Sequence, residues 1–151
     1  MKKYMPLILV AAIILTVTAA LFAFRNGTPE AEDKVAFASG EKVEVFYFHL
    51  TRRCVTCQAV ETVASEAVHE LYAEEMKEGK VTFRSLNIEE KATEAEAERA
   101  GATGQCLLIL SGETRIDLTS NAFMYARNQP EKLREEIKKA VDPLLEAAKQ
   151  D

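Results

Sequence analysis

Basic residues are the minority charge in this chain. Its 151 residues carry 19 Lys and Arg against 24 Asp and Glu, a formal charge of −5 at pH 7. The first 24 residues hold no acid, so setting Lys2 and Lys3 aside takes that −5 to −7 for the remainder. A domain this acidic does not suit nucleic acid or an anionic membrane surface, and no nucleic-acid partner is expected. Cysteine is scarce as well. Three cysteines are too few for a disulfide scaffold, so a small secreted framework held by bridges is excluded. No internal repeat recurs, which sets repeat architectures aside. Charge of either sign is missing from Tyr4 to Phe24, and that absence has a direct structural meaning.

About 20 apolar residues in a helix cross the hydrocarbon core of a bilayer. Lys2 and Lys3 precede the uncharged run and Arg25 closes it. Residues 1–25 therefore read as an N-terminal transmembrane helix, with residues 5–24 in the membrane. A cleaved signal peptide is the competing reading. It calls for an apolar stretch of about 7–15 residues and a small-x-small cleavage site. The run here is longer, and Leu21, Phe22 and Phe24 place bulk where a clean site should be, leaving Val17-Thr18-Ala19 as a poor one. No cysteine follows the run to accept an N-terminal lipid. Residues 26–41 read as a linker, because Asn26-Gly27-Thr28-Pro29 and the charges after it show no apolar periodicity. The working domain is expected over 42–148, outside the cytoplasm on the periplasmic or extracellular face.

Within that domain, Val43 to Phe48 is a near-continuous run of β-branched and aromatic residues. Such a strand is buried on both faces, as in the centre of an α/β sheet. After Cys54 the period becomes helical: Val60, Val63, Ala64, Ala67, Val68, Leu71 and Tyr72 share one stripe as far as about Glu78, with Gly79 ending the helix. A strand is predicted over 81–88, a short helix over 89–100, a strand over 106–110, and a hairpin through Ser111-Gly112-Glu113 into a strand over 114–118. Residues 121–129 give no clear pattern. A final helix starts at Pro130 and carries Leu133, Ile137, Ala140, Val141, Leu144 and Ala148 on one face, with a kink or break expected near Val141 because of Pro143.

The tetrad Cys54-Val55-Thr56-Cys57 stands where the first strand runs into the first helix. A sulfur at a helix start meets unpaired backbone N–H groups and the positive end of the helix dipole. Both favour thiolate, the reactive form. Arg52 and Arg53 add charge of the same sign beside it. Cys54 is the candidate nucleophile and Cys57 its partner. A purely structural bridge gains little here, since closure entropy grows with loop length and this loop is small.

The order of elements, together with Leu86-Asn87-Ile88-Glu89 and Gly104-Gln105-Cys106-Leu107-Leu108-Ile109-Leu110, resembles the thioredoxin pattern. The fold this implies is an α/β, thioredoxin-like three-layer sandwich, a central mixed sheet flanked by helices. More narrowly, Val45-Phe46-Tyr47-Phe48-His49 with Arg53-Cys54-Val55-Thr56-Cys57 resembles the nitrophenyl-compound nitroreductase subunit family of small membrane-anchored proteins. The broader resemblance implies that Cys54 lies exposed and Cys57 one turn inside. It also implies a thiol–disulfide oxidoreductase that exchanges with a protein thiol or disulfide partner and needs no cofactor. A tethered domain of that kind suits a multi-span membrane thiol transporter as partner. Three departures stand out. Arg53 replaces the tryptophan before the first cysteine, Phe48 replaces the buried acid, and Gln105 replaces the proline packed on the dithiol. A trans peptide is therefore expected at Gln105.

The remaining candidates have two readings each. Cys106 is a small buried hydrophobe or a third thiolate. In the second case Cys54, Cys57 and Cys106 form a site for a soft metal or metalloid, with His49 able to complete a tetrahedral set. His49 is otherwise a satisfied loop histidine. Arg53 tunes the thiolate or merely solvates the loop. His69 falls outside the apolar stripe of its helix and receives no role.

Overall fold

Val43–His49 forms the first strand, β1, and all but Glu44 and His49 of it is buried. A computed structural model describes residues 42–148; the anchor and linker expected over 1–41 lie outside the described residues. The chain continues through helices α1 (Val55–Leu71) and α2 (Ala73–Lys77) to strand β2 (Val81–Asn87). A 3-10 turn over Lys91–Thr93 leads into α3 (Glu94–Ala100), then β3 (Cys106–Ser111), β4 (Thr114–Asp117), α4 (Thr119–Tyr125) and α5 (Pro130–Ala148). The sheet order is β2-β1-β3-β4. β1 runs parallel to β2 and antiparallel to β3, and β3 and β4 make an antiparallel hairpin. The parallel pair needs a crossover, which α1 and α2 supply. This is an α/β fold with a mixed four-stranded sheet. Among the described residues no helix is long and apolar enough to cross a membrane.

Strand alternation divides the core in two. Val43, Val45 and Tyr47 of β1 and Leu107 and Ile109 of β3 pack with α1, α4 and α5. Phe46, Phe48, Cys106, Leu108 and Leu110 point the other way, onto Ala97 and Ala100 of α3. β1 is central and meets apolar side chains on both faces, as its unbroken apolar run predicts.

Three boundaries differ from the expectation. The helix predicted to reach Glu78 stops at Leu71, because Tyr72 leaves helical geometry at φ −127°, ψ 31°. Its ring joins the core and its hydroxyl donates to Asp142 Oδ1 of α5 at 2.7 Å. Gly79, at φ +74°, then follows α2 rather than α1 and closes it in a Schellman arrangement, with Lys80 N–H reaching Glu75 O and Gly79 N–H reaching Met76 O. The unpatterned stretch near Asn121 is helix α4. Its start is held by Leu107 N–H donating to Thr119 Oγ1 and by Asp117 Oδ1 accepting from Thr119 N–H. The break expected at Pro143 does not occur, and α5 runs unbroken to Ala148. Buried Val141 and Leu145 on either side of the proline hold the helix on the core.

Ile137 of α5 is fully buried and Glu135 is exposed. Ile137→Ala is expected to lower unfolding stability by about 2–5 kcal/mol, and Glu135→Ala by less than about 0.5 kcal/mol. Urea unfolding of the two variants checks this.

Candidate functional site

Cys54 is the N-cap of α1. Its backbone is extended, at φ −80° and ψ 164°, and its sulfur accepts the N–H of Cys57 at 3.1 Å. Ser, Thr, Asp or Asn usually supplies an oxygen for this task. Here a sulfur satisfies one of the orphan donors at the helix start, where the dipole favours negative charge. The same two residues are joined as a disulfide, with Cα atoms 5.0 Å apart. Cys54 is exposed and Cys57 retains 3% of its surface. Val55 between them is 67% exposed, so an apolar side chain stands in solvent beside the exposed sulfur.

Beneath the disulfide lies a small polar group that the apolar pattern hid. Tyr47 of β1 is fully buried, and its hydroxyl donates to the Cys57 carbonyl at 2.9 Å. Burial, with the Glu61 carboxylate adding to it and Arg53 opposing, pushes the phenol up to about 12. Tyr47 pairs in register with Ser85 of β2, so both side chains meet α1 from the same sheet face. Ser85 Oγ donates to Glu61 Oε1 at 2.6 Å, and the other Glu61 oxygen takes an ion pair from Arg53. Glu61 lies outside the apolar stripe of the helix. The overlooked clue is its spacing: Glu61 lies four residues after Cys57, one turn along the same face. Tyr47 had a clue too, since a tyrosine inside a doubly buried strand needs a partner for its hydroxyl.

Arg53 therefore does not stand free beside Cys54. Its guanidinium is held by Glu61, which cancels much of the charge expected to favour a thiolate there. What favours the thiolate is the backbone, through the Cys57 N–H and the helix start.

The loop before the tetrad is fastened to the far end of β2. Thr51 N–H donates to Glu89 Oε2 at 2.8 Å, and Asn87 Nδ2 donates to Thr51 Oγ1 at 3.0 Å. Asn87 Oδ1 also accepts from Glu89 N–H. The bonds from Thr51 hold the Glu89 carboxyl below its ordinary value. The segment Leu86-Asn87-Ile88-Glu89, quoted above for its pattern, thus splints the loop that carries Cys54. His49 is half-buried, its Nδ1 donates to Leu50 O at 3.0 Å, and its ring centroid lies 6.0 Å from that of Tyr47. His49 thus closes β1 rather than standing in the loop, and its described contacts are with Leu50 and Tyr47. His69 is exposed and donates to Ser65 O, as expected of a solvated face.

Gln105 does reach the dithiol. Its side-chain oxygen lies 3.2 Å from Cys57 Sγ. No cis peptide occurs among the described residues, so the bond before Gln105 is trans. Cys106, one residue on, faces the other way. It pairs with Phe48 and packs in the cluster of Phe46, Phe48 and Leu108, across the sheet from Tyr47 and Leu107. The three-cysteine set considered above is not assembled. Strand alternation puts the Cys106 sulfur on the opposite sheet face, and among the described residues no three His, Cys, Asp or Glu side chains are grouped to hold a metal.

The chain is thus an α/β protein with a mixed sheet and a close Cys54–Cys57 pair at a helix start, an arrangement consistent with a thioredoxin-like fold and compatible with redox chemistry. In comparisons with known proteins, no family model and no curated protein matches this chain.

Cys106 yields a test of its surroundings. It is 7% exposed, and burial, helped by Asp117 and opposed by Arg115, raises its thiol from 9.0 to about 11. The native chain keeps this proton where the unfolded chain has lost it. Its contribution to stability is complete below about pH 9 and is lost as pH rises towards 11, at up to about 1.4 kcal/mol per pH unit. Between pH 9 and 10, before Tyr47 adds a slope of its own, Cys106→Val is expected to flatten the decline. Urea midpoints against pH would show it.

Proposed function

We propose that this chain is a membrane-tethered thiol–disulfide oxidoreductase of thioredoxin-like fold, working outside the cytoplasm through Cys54 and Cys57. The observation that carries the reading is the asymmetry of the pair: an exposed sulfur capping the helix, bonded to a buried one three residues on. A structural bridge has no need of that difference, whereas exchange does.

In the reduced chain, Cys54 thiolate attacks one sulfur of a partner's disulfide. The partner's S–S bond breaks, its other sulfur leaves as a thiolate and takes up a proton, and a mixed disulfide forms. Cys57 then loses its proton and attacks Cys54 Sγ. The mixed disulfide breaks, the partner's second sulfur leaves and is protonated, and the Cys54–Cys57 disulfide remains. Two electrons have passed from the dithiol to the partner. The oxidised chain runs the same steps in reverse with a dithiol partner. Four groups prepare the site for this. The Cys57 N–H stabilises charge on Cys54, Tyr47 fixes the Cys57 backbone, Glu61 holds Arg53 to the helix, and the Glu89–Thr51 bond steadies the loop. No cofactor enters any step.

Cys57→Ser is expected to accumulate a mixed disulfide between Cys54 and its partner, because the resolving sulfur is missing. Cys54→Ser is expected to accumulate none. Non-reducing gels from cells expressing each full-length variant separate these outcomes, and equal trapping by both, or by neither, counts against turnover.

The tether rests on the uncharged run from Tyr4 to Phe24 behind Lys2 and Lys3. A multi-span membrane thiol transporter is the partner such an anchor suits, because tethering raises the local concentration of the two dithiols. Protease added to intact spheroplasts is expected to digest the domain, and the chain is expected to remain with the membrane fraction. A soluble form beginning near Ala20 would show that the segment is a cleaved signal.

A further inference from the structure

The residue just before β3, facing the dithiol, carries an amide. Gln105 Oε1 lies 3.2 Å from Cys57 Sγ, on a sulfur that has no hydrogen while the disulfide is closed. The Cys57 backbone is held from two sides, by the cap at Cys54 and by the Tyr47 hydroxyl on its carbonyl. Opening the disulfide therefore leaves the Cys57 backbone where it is, beside Gln105, and adds a proton to its sulfur. An amide oxygen accepts and cannot donate. In the free dithiol the Cys57 proton can also point at the Cys54 thiolate. In the mixed disulfide that acceptor has gone, because Cys54 is bonded to the partner.

We propose that Gln105 is a positioning residue for the resolving step: its side-chain oxygen accepts the Cys57 S–H in the mixed disulfide and holds that sulfur as a thiol. This rests on the exchange mechanism above and adds a control to it. Cys57 attacks only as thiolate, so an acceptor for its proton lengthens the life of the mixed disulfide. The bond that then forms, between Cys57 Sγ and Cys54 Sγ, requires the proton on Cys57 to leave its bond to Gln105 for solvent, while the partner's departing sulfur takes one up. Proton and electron counts are those of ordinary exchange; Gln105 changes when the proton leaves.

The geometry also explains why a glutamine serves at a place where packing alone would accept many side chains. Bulk could close over the disulfide without an oxygen. The ionisable groups beside Cys57 are Cys54, Tyr47 and the Arg53–Glu61 pair. All of them stay constant when Gln105 alone is changed.

The test uses the full-length chain carrying Cys54→Ser, which keeps a capping side chain and leaves Cys57 without its usual partner, as in the mixed disulfide. To it are added Gln105→Met, similar in length but without the oxygen, and Gln105→Glu, similar in shape but charged. Alkylation rate against pH is followed at Cys57 by peptide mass spectrometry, so that Cys106 does not contribute. One hydrogen bond to the thiol is worth about 1 kcal/mol, or roughly a fivefold change in acid constant. The Cys57 midpoint is expected to fall by about 0.7 pH unit in the Met variant and to rise above the parent in the Glu variant. A side chain that merely packs predicts no fall in the Met variant, because an apolar neighbour does not favour thiolate over thiol. A Met midpoint equal to or above the parent overturns the proposal. So does a Glu midpoint no higher than the parent, and that comparison decides alone if the Met variant does not fold. The measurement needs no turnover, so failure of the trapping experiment and failure of this ordering are separate results.

Discussion

β1 must bury both of its faces, and the position of the dithiol follows from that requirement. It lies between β2 and β3 and contributes Val43, Val45 and Tyr47 to one cluster and Phe46 and Phe48 to the other. A strand so confined has one register, because a slip of one residue would exchange its two faces. Its C-terminal end is therefore a fixed point, and the chain leaves it through a short loop into α1. Tyr47 then ties the two together. Its ring belongs to the core, and its hydroxyl reaches the carbonyl of Cys57. Sheet, helix start and buried sulfur form one rigid unit, while Cys54, on the solvent side, keeps its exposure.

The electrostatics of the site come more from the backbone than from side chains. Two arginines beside a cysteine invite an argument from charge. Folding brings Glu61 up from α1 to take one of them and ties it further to Ser85 on β2. A partly exposed ion pair of this kind adds little stability. Its effect is positional, since it holds Arg53 along the helix. The field on Cys54 is then that of a helix N-terminus with one N–H in contact, a source that does not depend on any charged side chain nearby.

The two sides of the sheet divide two kinds of cysteine. Cys57 sits beneath the helix start with an amide oxygen against it, and Cys106 sits among phenylalanines with its proton held by burial. Gln105 and Cys106 are consecutive at the entry to β3, yet one touches Cys57 Sγ and the other packs with Phe46 and Phe48 on the opposite sheet face. A distance counted along the chain could not reveal this, because consecutive residues need not face the same way.

The periodicities carried in the sequence were enough for the strands, the long helices, the central place of β1 and the tetrad at a helix start. Each depends on local preference or on an apolar period of two or 3.6, and these survive in a linear reading. Tertiary contact decided the rest. Tyr72 ends α1 early because its ring and hydroxyl find the core and Asp142 on α5, 70 residues away. Pro143 stays inside a helix because the residues around it are buried, and packing outweighs one lost hydrogen bond. Tyr47 from a strand and Gln105 from a loop meet at Cys57, Ser85 from another strand meets Glu61 of the helix, and no local pattern links them. The place of Cys54 at a helix start could be read from the chain; the surroundings of Cys57 exist only once the sheet has closed beneath it.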